Sequence, residues 1–205
     1  YNRANTLVLM RRLVDAIEGY KETINLEPNH AEAHNNMGCA LQELYKFYEA
    51  VPCHMNAIRI NPEYVSAHYN LGNALIRIGS IEESISAYKK AIELDQEFNL
   101  LLGNYVYAQM KICDWSNFYQ NLDKIINMVS CNKKVVMPFS FLGLVDSLSI
   151  QLQLASNYVS SDCPENYLLG DIPKRFSADR IRIGYFSADF HNHATTWLMA
   201  ELFER

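Results

Sequence analysis

Written out at a period of 34 residues, the first hundred residues align with themselves, and this limits the available folds more than any other feature. Tyr1-Asn2-Arg3-Ala4, Asn35-Asn36-Met37-Gly38 and Tyr69-Asn70-Leu71-Gly72 share one column block. Leu7, Leu41 and Leu75 form another column, as do Met10, Leu44 and Ile78, and Leu13, Phe47 and Ile81. The second half of the period aligns Ala16, Ala50 and Ser84, then Tyr20, His54 and Tyr88, then Thr23, Ala57 and Ala91. Pro28 and Pro62 close the first two periods, and Gln96 stands in their place in the third.

Apolar residues three and four apart predict two amphipathic helices per period. Small residues (Gly38, Gly72, Ala50, Ala57, Ala91) allow the paired helices to approach closely, and a proline after the second helix stops it. Units of this length and pattern resemble the tetratricopeptide repeat (TPR). Residues 1–30 read as a partial repeat, and 31–64 and 65–98 as complete ones. Two residues depart from the pattern. Pro52 falls inside a predicted helix, at an expected cost of about 3 kcal/mol unless a kink absorbs it. His34 and His68 occupy a column where the family often has a large apolar side chain. Packing is their expected role, since a shared metal would need a third ligand.

Asn2, Asn36, Asn70 and Asn104 also recur at intervals of 34. Asparagine is a mediocre helix former, so its return at one helical position calls for a reason. One reason is a ladder of amides along a concave groove, pairing with the backbone of an extended peptide; Asn5 and Asn73 would widen it. The other is structural: a hydrogen bond to the adjacent repeat, or a common consensus choice at this site.

Composition removes several function classes. A formal net charge of −5 supplies no broad basic field for nucleic acid or anionic lipid. No apolar run approaches the ~20 residues needed to span a bilayer, and no signal peptide opens the chain. The five cysteines, Cys39, Cys53, Cys113, Cys131 and Cys163, contain no CxxC pair, so neither a zinc ribbon nor a disulfide framework is expected. Reduced thiols fit a cytoplasmic protein.

Beyond Glu97 the repeat decays. Leu102, Tyr105, Val106 and Gln109 still read as a first helix. Cys113-Asp114-Trp115-Ser116 does not read as the start of a second one. Helices are expected over about 116–129 and 139–158, with Cys131 to Pro138 as a loop. Trp115 is read as an aromatic that caps the last repeat. Residues 99–178 are thus a degenerate repeat and helical linker, irregular from 159 onward.

Arg180-Ile181-Arg182-Ile183-Gly184-Tyr185-Phe186-Ser187 alternates as a strand does. A polar loop, Ala188-Asp189-Phe190-His191-Asn192-His193, leads into a helix opening at Thr195 or Thr196. Strand, loop and helix N-terminus make the opening of a Rossmann-like unit. Residues 182–193 resemble the start of the catalytic domain in the O-GlcNAc transferase and SPINDLY family, glycosyltransferase family 41. Lys111-Ile112-Cys113-Asp114-Trp115-Ser116 resembles the segment after the repeats in its bacterial members. The expected fold class is therefore mostly α: a TPR superhelix, a helical linker, and the first strand, loop and helix of an incomplete GT-B lobe over 179–205.

That resemblance implies transfer of N-acetylglucosamine from UDP-GlcNAc to serine or threonine, with no metal or other cofactor. It implies that protein or peptide acceptors bind in the TPR groove through Asn2, Asn36, Asn70 and Asn104. The family's active-site histidine maps onto His193, with His191 the second candidate; either could serve as an acid or base or donate to phosphate. Two weaker readings stand beside it: Asp189, His191 and His193 as metal ligands, which no further ligand accompanies, and a structural loop histidine bonded to backbone. The resemblance also implies that the remaining catalytic domain lies beyond Arg205 and that this segment alone is inactive. A SPINDLY-like fucosyltransferase and a non-catalytic scaffold are the alternatives.

Overall fold

The computed structural model describes residues 1–162. Among these residues the structure is entirely helical, without strands. The helices are α1 (Asn2–Leu9), α2 (Leu13–Leu26), α3 (Ala31–Glu43), α4 (Phe47–Ile60), α5 (Val65–Ile78), α6 (Ile81–Leu94), α7 (Leu101–Lys111), α8 (Phe118–Ser130), α9 (Pro138–Phe141) and α10 (Leu148–Asp162). The expected strand at 180–187 and the loop bearing His191 and His193 lie outside the described residues.

Helices α1 to α6 form three consecutive hairpins, and each second helix packs on the first helix of the next unit. One backbone device turns every hairpin. Arg11, Tyr45, Gly79 and Cys113, each 34 residues after the last, all have positive φ, at 60°, 60°, 88° and 55°. Only one of the four is glycine. The left-handed turn thus persists into α7–α8 and makes that pair a fourth repeat-like unit, although its loop sequence has diverged.

Glycine is required where the paired helices touch. A Cβ on Gly38 would lie 2.5 Å from the His54 ring, and one on Gly72 would lie 2.5 Å from the Tyr88 ring. In the first unit the same column holds Ala4, whose Cβ faces Gly19 instead. The small partner has moved to the other helix. Glycine costs a helix about 1 kcal/mol relative to alanine, a cost offset here by burying the large ring beneath it.

Helix α4 runs through Pro52. The proline is exposed and the carbonyl it leaves without a helical donor belongs to Tyr48, also exposed. Water can satisfy that group, so the expected cost is reduced without interrupting the helix.

The segment after the fourth unit closes the array with its own core. Leu102, Val106, Ile125, Val129, Val135, Val136, Phe141 and Leu154 form one buried cluster. Leu100 N–H donates to the Lys134 carbonyl at 2.9 Å and Gly103 N–H to the Val135 carbonyl at 3.1 Å. Residues 134–135 therefore satisfy donors at the start of α7, which has no side-chain cap. Gly103 admits this strap, since a Cβ there would lie 2.7 Å from the Val135 oxygen. The helix expected over 139–158 is instead two, α9 and α10. Gly143, Asp146 and Ser147 favour a break, and Gln151 Nε2 donates to the Val145 carbonyl at 2.7 Å, holding the turn.

Candidate functional site

Among the first helices, α5 contacts both α3 and α7. The second helices α4 and α6 stand apart around an outer cleft lined by Val51, Met55, Ile58, Ala87 and Lys90. The stack therefore curves toward its first helices, which form the inner face. Asn2, Asn36, Asn70 and Asn104 lie on these helices in successive units.

Three of the four asparagines use their amide nitrogens on the preceding repeat. Asn36 Nδ2 donates to Tyr1 Oη at 3.0 Å and to Asn5 Oδ1 at 3.3 Å. Asn70 Nδ2 donates to Asn35 Oδ1 at 3.1 Å and to Cys39 Sγ at 3.2 Å. Asn104 Nδ2 donates to Tyr69 Oη at 3.1 Å and to Asn73 Oδ1 at 3.0 Å. The partners stand 35 and 31 residues upstream every time. Asn2 is exposed, and its backbone carbonyl accepts from Thr6 Oγ1. The donor half of the ladder thus joins repeat to repeat. The acceptor half is less committed: Asn36 Oδ1 takes one long contact, 3.4 Å, from Asn35, and Asn70 and Asn104 carry no bond on Oδ1 among the described residues.

A second row of polar groups supports the first. Tyr20 Oη donates to Asn5 Oδ1 at 2.6 Å, and Tyr88 Oη donates to Asn73 Oδ1 at 2.7 Å. Burial pushes the Tyr20 hydroxyl up to about 12 and raises that of Tyr88, so both remain donors.

The middle repeat is wired differently. Four columns change together there: Tyr1–Asn35–Tyr69, Asn5–Cys39–Asn73, Val8–Gln42–Ile76 and Tyr20–His54–Tyr88. Three of the four changes meet at the buried His54, and the fourth, Cys39, accepts from Asn70 Nδ2. The His54 Nδ1–H donates to Asn35 Oδ1 at 3.0 Å, and its Nε2 accepts from Gln42 Nε2 at 2.7 Å. Gln42 Nε2 also donates to the Asn70 backbone carbonyl at 2.9 Å. That set of partners specifies the neutral Nδ1–H tautomer. Desolvation holds the His54 pKa down to about 4. The repeat alignment puts His54 in a column of tyrosines and does not show this network; the joint departure of four columns is its signal in the sequence.

His34 and His68 have a structural part. Each presents Nε2 to the carbonyl of the proline ending the previous unit, Pro28 at 3.0 Å and Pro62 at 2.9 Å. Burial pushes the thiols of Cys39 and Cys53 up to about 12 and about 11, so neither is a thiolate nucleophile at neutral pH. Trp115 is half exposed and meets Phe118 edge-on at 5.2 Å.

At the lower end of the ladder the inner face deepens into a cleft of about 480 Å³. Asn73 and Asn104 line it, with Phe47, Tyr69, Tyr107 and Met137 as apolar walls. Met137 comes from the strap region, far from the repeats in sequence, so no repeat column pointed to it.

Residues 31–64 and 65–98 each match the tetratricopeptide repeat family, so this part of the chain is a TPR array. A relative is the UDP-N-acetylglucosamine–peptide N-acetylglucosaminyltransferase of Caenorhabditis elegans. It is 33% identical over 105 residues, covering 44% of this chain and 9% of the relative. The chain thus spans about a tenth of the length of that curated relative. Among solved structures, a MamA fragment from Desulfovibrio magneticus aligns with a TM-score of 0.60 at 21% identity, over 64% of this chain and 74% of that one. The first TPR of Spaghetti, bound to an HSP90 peptide, aligns with a TM-score of 0.53 at 20% identity, over 54% and 88%. These likenesses show the helical-repeat fold. No helix among the described residues is long and apolar enough to cross a membrane.

Proposed function

We propose that this chain is the acceptor-binding part of a protein O-GlcNAc-transferase-like glycosyltransferase, and that its inner face holds an extended polypeptide by the backbone. One observation carries the reading: asparagine amides recur on successive first helices, the nitrogens of Asn36, Asn70 and Asn104 are bound within the array, and the Oδ1 atoms of Asn70 and Asn104 have no partner among the described residues. Such oxygens accept backbone N–H groups whatever the side chains of the bound segment, which suits an enzyme with many protein substrates. The peptide N-acetylglucosaminyltransferase relative supports the same assignment, and the HSP90-peptide complex of a similar fold supports peptide binding as its use. In the parent reaction N-acetylglucosamine passes from UDP-GlcNAc to a serine or threonine hydroxyl, with His193 as the active-site histidine and His191 the second candidate for that role.

The test alters the ligand and leaves the fold untouched. A fluorescent serine- and threonine-containing peptide binds the chain, and its analogue with N-methylated alternate amides binds at least tenfold more weakly. Two lost hydrogen bonds of about 1 kcal/mol each suffice for that change. Equal affinity of the two peptides contradicts backbone recognition. With the longest native form of the protein, radiolabel from UDP-GlcNAc should reach the peptide and His193→Ala should abolish transfer; label from GDP-fucose alone would favour the SPINDLY-like alternative.

A further inference from the structure

The cleft at the lower end of the ladder has a charge pattern that generic backbone binding does not require. Arg77 lines it, exposed, with its guanidinium carbon 5.2 Å from the centroid of the Phe47 ring. Lys111 Nζ stands 5.2 Å over the ring of Tyr107, another cleft wall. Neither cation has a carboxylate partner among the described residues. The one acidic residue lining the cleft, Glu43, is already paired with Arg11. A chain with net charge −5 therefore presents here two aromatic walls, each carrying a cation that no carboxylate of the described residues pairs.

Resting on the groove reading above, we propose that this cleft is a selectivity subsite for segments with an aspartate or glutamate beside a bulky apolar side chain. The apolar side chain enters between Phe47, Tyr69, Tyr107 and Met137, while the carboxylate meets Arg77 and, at the rim, Lys111. A cation over an aromatic ring keeps N–H groups free, so a carboxylate can bind it without displacing the ring contact. A lysine in place of that carboxylate would face two like charges and be rejected. Backbone contacts to the ladder would hold the segment, and this subsite would choose among segments.

The experiment compares two peptides of the same length, both with phenylalanine at the centre, one followed by glutamate and the other by lysine. At low ionic strength the glutamate peptide binds the chain at least tenfold more tightly, and the margin shrinks as salt is added. Arg77→Glu reverses the preference, Arg77→Gln erases most of it, and both variants keep the wild-type helical signal because Arg77 is exposed. Replacing the phenylalanine by glycine weakens the glutamate peptide severalfold, and Tyr107→Ala removes part of that difference. Equal binding of both charged peptides, unchanged by Arg77→Glu but still lost on N-methylation, overturns the subsite and leaves the groove intact. Absence of binding by every peptide overturns both.

Discussion

At the scale of single residues, His54 carries the sharpest prediction. Its pKa is near 4 when folded, against about 6.5 for a free imidazole. Above pH 6.5 both states are neutral and the residue adds no pH dependence. As pH falls from 6.5 toward 4 the unfolded chain takes up a proton that the folded one excludes. Stability is lost across that window, by on the order of 3 kcal/mol in total. Denaturant melts at pH 7 and pH 4.5 should show the loss. The variant Asn35→Tyr, Cys39→Asn, Gln42→Ile, His54→Tyr carries the side chains of the flanking repeats and should remove this component of the acid sensitivity. An unchanged difference between wild type and variant at the two pH values would mean that His54 is not held neutral by burial. The asparagine ladder was legible because identity at a fixed interval is visible in sequence alone. How its amides divide their bonds was not, because the partners lie 31 and 35 residues upstream in columns that carry three different side chains.

Among the elements, the hairpin turns show what a repeat pattern conveys and what it conceals. Sequence alignment gives the helix pairs, yet it does not show that Arg11, Tyr45, Gly79 and Cys113 all adopt left-handed backbone, since three of them lack the glycine that marks such a position. A non-glycine residue there costs about 1 kcal/mol. Gly79→Ala should therefore destabilise the chain by about 1 kcal/mol, although a Cβ there would touch nothing. Cys113→Gly, at an exposed position, should stabilise it by about 0.5–1 kcal/mol after the added freedom of the unfolded chain is subtracted. Thermal melts of the two variants read opposite signs; a shift in the same direction for both would refute the turn's role. The helix expected over 139–158 illustrates the other limit. Apolar spacing through Leu142, Val145 and Leu148 imitates one continuous stripe. The break is favoured by Gly143, Asp146 and Ser147 and held by Gln151, which binds the turn's Val145 carbonyl, a bond that periodicity does not register.

Across the whole molecule, the described residues form an array in which each unit is bonded to the next through the same asparagine, and the last unit is closed by the strap at 134–136 and by α10. The periodicity made the array legible, down to the existence of a groove. The cleft at its lower end was not, because Phe47, Arg77, Tyr107 and Met137 come from three helices and a loop that no single column unites. The central claim is that this inner face receives an extended polypeptide by its backbone. Nuclear magnetic resonance tests it most directly: titrate a serine- and threonine-containing peptide into isotopically labelled chain and follow the backbone and asparagine side-chain amides. The account predicts shifts on α3, α5 and α7, including the side-chain amides of Asn36, Asn70 and Asn104, with α2, α4 and α6 unmoved on their outer faces. Shifts centred on the outer cleft between α4 and α6, with the three asparagine amides unmoved, would contradict it.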